Sequence, residues 1–158
     1  MTNDPADVVI AFLNTVDVED GTDLMSDLDE WDRWVRSTMP VEERQTRHRR
    51  DQARELRTYL RGIVAGEPAK CPSQVPVAVE LGGNGARLTS ETVVGAIAAA
   101  AATLSIARRW DRIKICPADD CRWAFYDASR NHSRQWCSMQ VCGNRAKVRK
   151  FRDGAPQR

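Results

Sequence analysis

Apolar residues in this chain recur first at helical spacing and later at alternating spacing, and the change of period maps its elements. From Pro5 to Val16, Val8 or Val9, Phe12, Leu13 and Val16 recur at three- and four-residue steps, which predicts a helix with one apolar face. Asp17 to Ser26, with Gly21, reads as a polar loop. Ser26 starts a second helix, with Asp29 three residues on as a relative of the capping box, and Leu28, Trp31, Trp34 and Val35 form its inner stripe. Ser37-Thr38-Met39-Pro40 predicts a third helix with Pro40 in its first turn, running to about Ala65 and stopped by Gly66. Its second half is amphipathic through Leu56, Tyr59, Leu60, Ile63 and Val64. Its first half interleaves Arg44, Arg47, His48, Arg49 and Arg50 with acids, the pattern of a solvated face.

The period then falls to two. Val75, Val77, Val79 and Leu81 alternate before Gly82-Gly83-Asn84-Gly85 and Ala86-Arg87-Leu88, which predicts a β-hairpin. The glycine run has no following Lys-Ser/Thr pair, so it reads as a turn and not a phosphate loop. Thr89 or Ser90 caps a last long helix, Glu91 to about Trp110, with Val93, Val94, Ile97, Ala101 and Leu104 facing inward. Residues 1–110 are therefore expected to form a mostly α domain with one β-hairpin, an α+β body. Beyond it, Arg112–Cys116 and Trp123–Tyr126 alternate as two short strands, and Asp127–Gln135 is a polar loop. Ser138 is placed to N-cap a closing helix with Cys142 in its first turn.

Charge sharpens this division. The net charge of +2 conceals thirteen Lys/Arg against five Asp/Glu from Ile106 onward, while the first 32 residues hold ten acids and no base. A basic C-terminal third behind an acidic body points to a polyanionic partner. The acidic N-terminus argues against a signal peptide, and the apolar run from Val93 to Ala107 is too short for a membrane span. The expected setting is a reducing, cytoplasmic one.

Four cysteines carry the chemistry. Cys116, Cys121, Cys137 and Cys142 form two Cys-x4-Cys pairs separated by fifteen residues. Two short pairs on separate bends supply four soft ligands to one point, as a tetrahedral zinc site requires. Four protein ligands would leave no open coordination position, so the single Zn2+ is expected to be structural. The alternatives are disulfides, or His132 in place of one cysteine. Cys71 receives no role, and His48 reads as a surface residue. Asp17, Glu19, Asp20 and Asp23 offer oxygen ligands but read as an acidic loop. With no nucleophile–base pair and only two histidines, the chain does not read as an enzyme.

The segment from Cys116 through Trp123, Asp127, Ser129-Arg130-Asn131, Ser133, Trp136-Cys137-Ser138-Met139 and Cys142-Gly143-Asn144-Arg145-Ala146-Lys147 resembles the CGNR zinc finger family, which takes its name from the tetrapeptide at Cys142–Arg145. Phe12-Leu13-Asn14-Thr15 is similar to the Phe-Val-Asn-Thr of a helix in that family's N-terminal domain. The resemblance implies a stress-induced bacterial transcription regulator: a regulatory domain over 1–110, a treble-clef-like finger over 111–152 and a tail over 153–158. It also implies a finger that binds DNA through its positive charge.

On the closing helix Arg145, Arg149 and Arg152 fall at i, i+4 and i+7, flanked by Lys147 and Lys150, and the loop before it adds Arg130, Asn131, Ser133 and Arg134. The expected nucleic-acid contacts are therefore Arg130, Asn131, Arg134, Asn144, Arg145, Lys147, Arg149, Lys150 and Arg152. For Asn144 a bond to the knuckle backbone, and for Arg145 a pair with Asp127, stand as structural alternatives. Val141, Val148 and Phe151 are expected to pack back on the finger, and Trp123, Phe125 and Trp136 to form its small core. Duplex DNA is the expected partner of a nucleoid-associated protein, with a small-molecule effector or homodimerisation left to the N-terminal domain. The alternatives are an RNA- or protein-interaction module, or an enzyme in the N-terminal domain.

Overall fold

The architecture was taken from a computed structural model, which describes residues 4–70, 74–83 and 85–153. Cys71, Asn84 of the glycine-rich turn and the tail beyond residue 153 lie outside the described residues.

Pro5 at the first helical position and the Asp4 side chain, accepting from the Ala6 amide at 2.9 Å, start α1 (Pro5–Leu13). The helix stops short of Val16, which belongs instead to β1 (Val16–Asp17). This strand pairs antiparallel with β2 (Thr22–Asp23) around Gly21, whose φ of +65° suits a residue without a side chain. The expected loop is thus a small hairpin, followed by a 3-10 turn (Leu24–Ser26) that buries Met25. Asp27, one residue past the expected Ser26, caps α2 (Leu28–Thr38) by accepting from the amides of Asp29 and Glu30. Trp31 and Val35 are fully buried as the helical period requires, with Leu28 and Trp34 half-buried beside them.

The third helix begins later than expected. Met39, held extended as the residue before a proline must be, ends α2. The chain then runs along the surface as an irregular segment whose ends, Met39 and Gln45, are buried, and Gln45 accepts from the Trp31 indole N–H. Thr46 caps α3 (Arg47–Ala65), which Gly66 ends in the left-handed conformation. β3 (Ala78–Gly82) and β4 (Gly85–Thr89) form the expected hairpin, with Val79 opposite Leu88 and Glu80 opposite Arg87. Val79 and Leu81 stay exposed. Thr92, and not Thr89 or Ser90, caps α4 (Val93–Ile106), which ends ahead of Trp110.

Helices α1 to α4 enclose a core built on Val9, Phe12, Leu13, Trp31, Val35, Leu56, Leu60, Val93, Ile97 and Leu104. The next hairpin, β5 (Ile113–Ile115) and β6 (Ala124–Tyr126), joins it. Period-two alternation gives this hairpin two faces. Ile113, Ile115, Ala124 and Tyr126 pack into the helical core, while Phe125 turns to the second, cysteine-lined cluster.

The chain closes with one wide turn of π-helix (Met139–Gly143) running into α5 (Asn144–Asp153). No side chain of α5 is buried. Val141, Val148 and Phe151 were expected to pack back on the finger, yet they are 50%, 49% and 80% exposed. Only the π turn, through Cys142 and Gly143, is buried; α5 is met along its Arg145–Arg149 side by Glu19 and Asp120, while Val148 and Phe151 are left in solvent. Of the expected finger core, Phe125 is buried and Trp136 packs against it, but Trp123 faces outward at 38% exposure.

Candidate metal centre

Two bends bring the cysteine pairs together. In the first, Cys116 at the end of β5 donates its amide to the Trp123 carbonyl at 2.9 Å. The amides of Cys121 and Arg122 both donate to the Ala118 carbonyl at 3.0 Å, folding the intervening residues into a knuckle. In the second, Ser138 Oγ accepts from the Val141 amide, and the Gly143 amide donates to the Ser138 carbonyl. Cys142 is thereby set at the start of the closing helix.

The four Sγ atoms lie within 4.8 Å of one another, with Cys121–Cys137 at 3.5 Å and Cys137–Cys142 at 3.6 Å. A disulfide would need about 2.05 Å. Zinc–sulfur bonds of about 2.3 Å in a tetrahedron put sulfurs about 3.8 Å apart, so the four thiols fit one zinc. Among the described residues this is the one such group of ligands. His132 is not part of it; its Nδ1 lies 3.2 Å from Asp111. Burial pushes the Cys121 thiol up to about 11 and Cys137 further, so protons must leave as zinc binds. Cys142 is drawn down instead: burial opposes its ionisation, but the hydrogen bond from Arg145 Nη2 at 3.4 Å and those from the other three thiols together outweigh it. When bound, zinc would be held by these four sulfurs with no site left for water, a cross-link between knuckle and helix.

The loop between the cysteine pairs is organised by Asp127, whose side chain is fully buried. One carboxylate oxygen accepts from the Ser129 amide, the other from Lys114 Nζ at 2.6 Å and the Arg134 amide at 3.0 Å. Lys114 also donates to the carbonyls of His132 and Arg134. Burial raises the Asp127 carboxyl, but Lys114 and Ser129 override it and hold the group well below the usual carboxylate range.

The nine basic or amide side chains expected at DNA divide into two sets. Arg130, Asn131, Lys147, Lys150 and Arg152 are exposed, as is Arg149, which pairs with Asp120 at 3.4 Å. The others have partners inside the protein. Arg134 donates to the carbonyls of Trp136 and Cys137 and lies over the Phe125 ring, with its guanidinium carbon 4.8 Å from the centroid. Asn144 donates to the Gln140 carbonyl. Asn144 thus bonds the second bend and not the knuckle backbone, and Arg145 does not meet Asp127. It reaches Cys142 Sγ, Glu19 at 3.0 Å and Asp120 at 3.5 Å. A cleft of about 300 Å³ beside the cluster is lined by Trp123, Val141, Arg145 and Glu19.

Several residues that hold the centre in place were not singled out as such from sequence. Asn14 forms a two-way bond with the backbone of Ala124, accepting from its amide at 2.8 Å and donating to its carbonyl at 2.9 Å. Arg61 donates to the carbonyls of Leu13 and Arg122, tying α1 to the knuckle through α3. Arg57, buried, makes a bidentate pair with Asp23 and donates to Thr15. Asn14 lies within the short motif Phe12–Thr15, the one local hint of its role. Arg57 and Arg61 look in sequence like the polar border of an amphipathic helix. The acids Asp17, Glu19 and Asp23 are likewise engaged: Asp17 caps its own turn, Glu19 meets Arg145 and Asp23 meets Arg57.

None of the described helices is long and apolar enough to cross a membrane. Comparison with curated proteins found no match. Residues 112–154 match the CGNR zinc finger. Residues 6–121 match the family described as "Putative stress-induced transcription regulator" (ABATE), so the two matches overlap across the first cysteine pair. With most of its length in that match and a four-cysteine zinc site completing it, the chain belongs to the ABATE family and ends in a CGNR zinc finger.

Proposed function

We propose that this protein is a zinc-dependent, duplex-DNA-binding transcription regulator of the bacterial cytoplasm and nucleoid, in which the zinc is structural and α5 lies against DNA. The observation that carries the reading is α5 itself: a helix rooted in the metal centre, with no buried side chain and with Lys147, Arg149, Lys150 and Arg152 in solvent. Arg130 and Asn131 extend the same basic character onto the preceding loop. At helical spacing, Val148 and Phe151 lie between the Arg145–Arg149–Arg152 stripe and the Lys147–Lys150 stripe. An apolar strip between cations suits a groove, where methyl groups of thymine meet apolar side chains while cations meet phosphates. Arg134 serves in this reading to brace the zinc-binding loops, and Arg145, held by Cys142 Sγ, belongs to the phosphate-facing stripe as well. A single finger covers few base pairs, so a homodimer formed through the exposed apolar side of β3–β4 would supply specificity.

The test is selection from random duplex DNA with zinc-loaded full-length protein, followed by titration of the selected site against salt. Six phosphate contacts, from the five α5 cations and Arg130, predict a log–log slope of about −5.4. A slope near zero, or no duplex binding, refutes the proposal. One observation favours a second reading: Trp123 is exposed beside the cluster and could stack on an unpaired base, as in recognition of single-stranded RNA. Competition by unstructured RNA at lower concentration than duplex DNA would establish it.

A further inference from the structure

We propose that the acidic turn between β1 and β2 is an internal competitor for the DNA-binding face of the finger. Glu19, together with Asp120, occupies Arg145 and Arg149 where DNA phosphates would otherwise sit, and binding of DNA displaces Glu19. This inference rests on the DNA-binding reading above.

The turn is fixed to the N-terminal domain from within. Asp17 accepts from the amides of Glu19 and Asp20 at 2.9 and 3.1 Å, Gly21 closes the bend, and Asp23 at its end is anchored to the buried Arg57 of α3. Glu19 is thus held over a helix that begins more than 120 residues later in the chain. Arg145 meets three electron-rich groups, with Glu19 at 3.0 Å, Asp120 at 3.5 Å and Cys142 Sγ at 3.4 Å, while Arg149 meets Asp120 at 3.4 Å.

The closeness of Glu19 orders Arg145, but its exposure keeps the pair breakable. The Glu19 side chain is 52% exposed and that of Arg145 33%. Such a solvent-reached pair shifts an equilibrium by at most several-fold, well within what a phosphate track can displace. The Cys142 contact is of another kind, because it keeps Arg145 in place after Glu19 leaves. The arginine is therefore freed without being lost from the surface. Through this contact, anything that moves the β1–β2 turn alters how many cations the finger presents.

The test compares zinc-loaded wild type with Glu19→Gln and with Glu91→Gln, a charge-matched control on the exposed stretch before α4, on one duplex across a salt series. Glu19→Gln is expected to tighten binding about three- to fivefold at low salt and to leave the slope unchanged, because wild type gives up Glu19 on binding and both forms make the same phosphate contacts. Glu91→Gln is expected to change affinity less than twofold. Equal effects of the two variants, or weaker binding by Glu19→Gln with full zinc content and an unchanged melting curve, would overturn the competitor while the DNA reading stands. Failure of every form to bind duplex DNA would remove both. Should Glu19→Gln not fold, Glu19→Asp keeps the charge and shortens the reach. An affinity above wild type would support displacement, and an unchanged one would refute it.

Discussion

Asp127 shows how much a single side chain organises at this site. A buried carboxylate without partners would be costly, yet its oxygens accept from Lys114, the Ser129 amide and the Arg134 amide, and this arrangement folds the loop that delivers Cys137. Because its pKa is depressed in the folded protein, its stabilising effect is complete above the unfolded carboxylate value of about 3.9. The effect is lost as pH falls from there toward the lower folded value. Urea melts of wild type and Asp127→Asn are therefore expected to differ throughout pH 5–7 and to converge below about pH 4. A difference that stayed unchanged from pH 7 down to about pH 2 would show that the ionised form of Asp127 contributes nothing. Arg145 is the second such residue. It was read from sequence as a DNA contact or a partner of Asp127, and its nearest groups are a zinc ligand and the acid of a distant turn. Hydrogen bonds to ligand atoms set the orientation and basicity of a metal site, so its place in the Cys-Gly-Asn-Arg tetrapeptide has a physical use apart from DNA.

At the scale of elements, apolar periodicity located α1, α2, the second half of α3 and α4, because burial is what the pattern encodes; β3–β4 was located by its alternation and its glycine turn although neither strand is buried. It failed where local chemistry competes with the pattern. Val16 continues the helical spacing of α1 but lies in β1. Pro40 looks like a helix start, but its effect on Met39 ends the previous helix, and α3 waits for the Thr46 cap. The β1–β2 hairpin has only two residues per strand, so its order depends on Asp23, which links it to Arg57. Asp23→Ala would strand a guanidinium that is 6% exposed, with only Thr15 left to accept from it. Breaking a fully buried pair costs about 3–5 kcal/mol; since Asp23 is a quarter exposed, about 2–3 kcal/mol is expected in chemical denaturation of the zinc-loaded protein. A loss under 0.5 kcal/mol would mean that the hairpin needs no such anchor.

At the scale of the molecule, the zinc-bearing segment and the helical body share one hydrophobic core. Ile113 and Ala124 are buried among the helices, and Asn14, Arg61, Arg109 (to Tyr126) and Glu19 bond across the junction. A finger of this size depends on its metal when it has little core of its own, but half of this hairpin borrows the core of its neighbour. Chelation is therefore expected to release one zinc per chain and to raise amide hydrogen exchange across 128–153. Residues 113–115 and 124–126 are expected to keep most of their protection. Loss of protection across the whole of 112–153 would show that the hairpin is held by zinc alone.

The sequence by itself determined the metal ligands, since thiolates at short, paired spacing need only two bends to converge. It also determined the family, and the helices whose burial is written in their period. Only the tertiary structure decided which polar groups meet, because nothing local in the chain encodes the approach of Glu19 to Arg145, of Asn14 to Ala124 or of Lys114 to Asp127. It decided also that Val148 and Phe151 face solvent, for an apolar face on a helix specifies that something should cover it and not what does. The same amphipathic pattern that marks a core helix marks, in α5, a surface free to meet a partner.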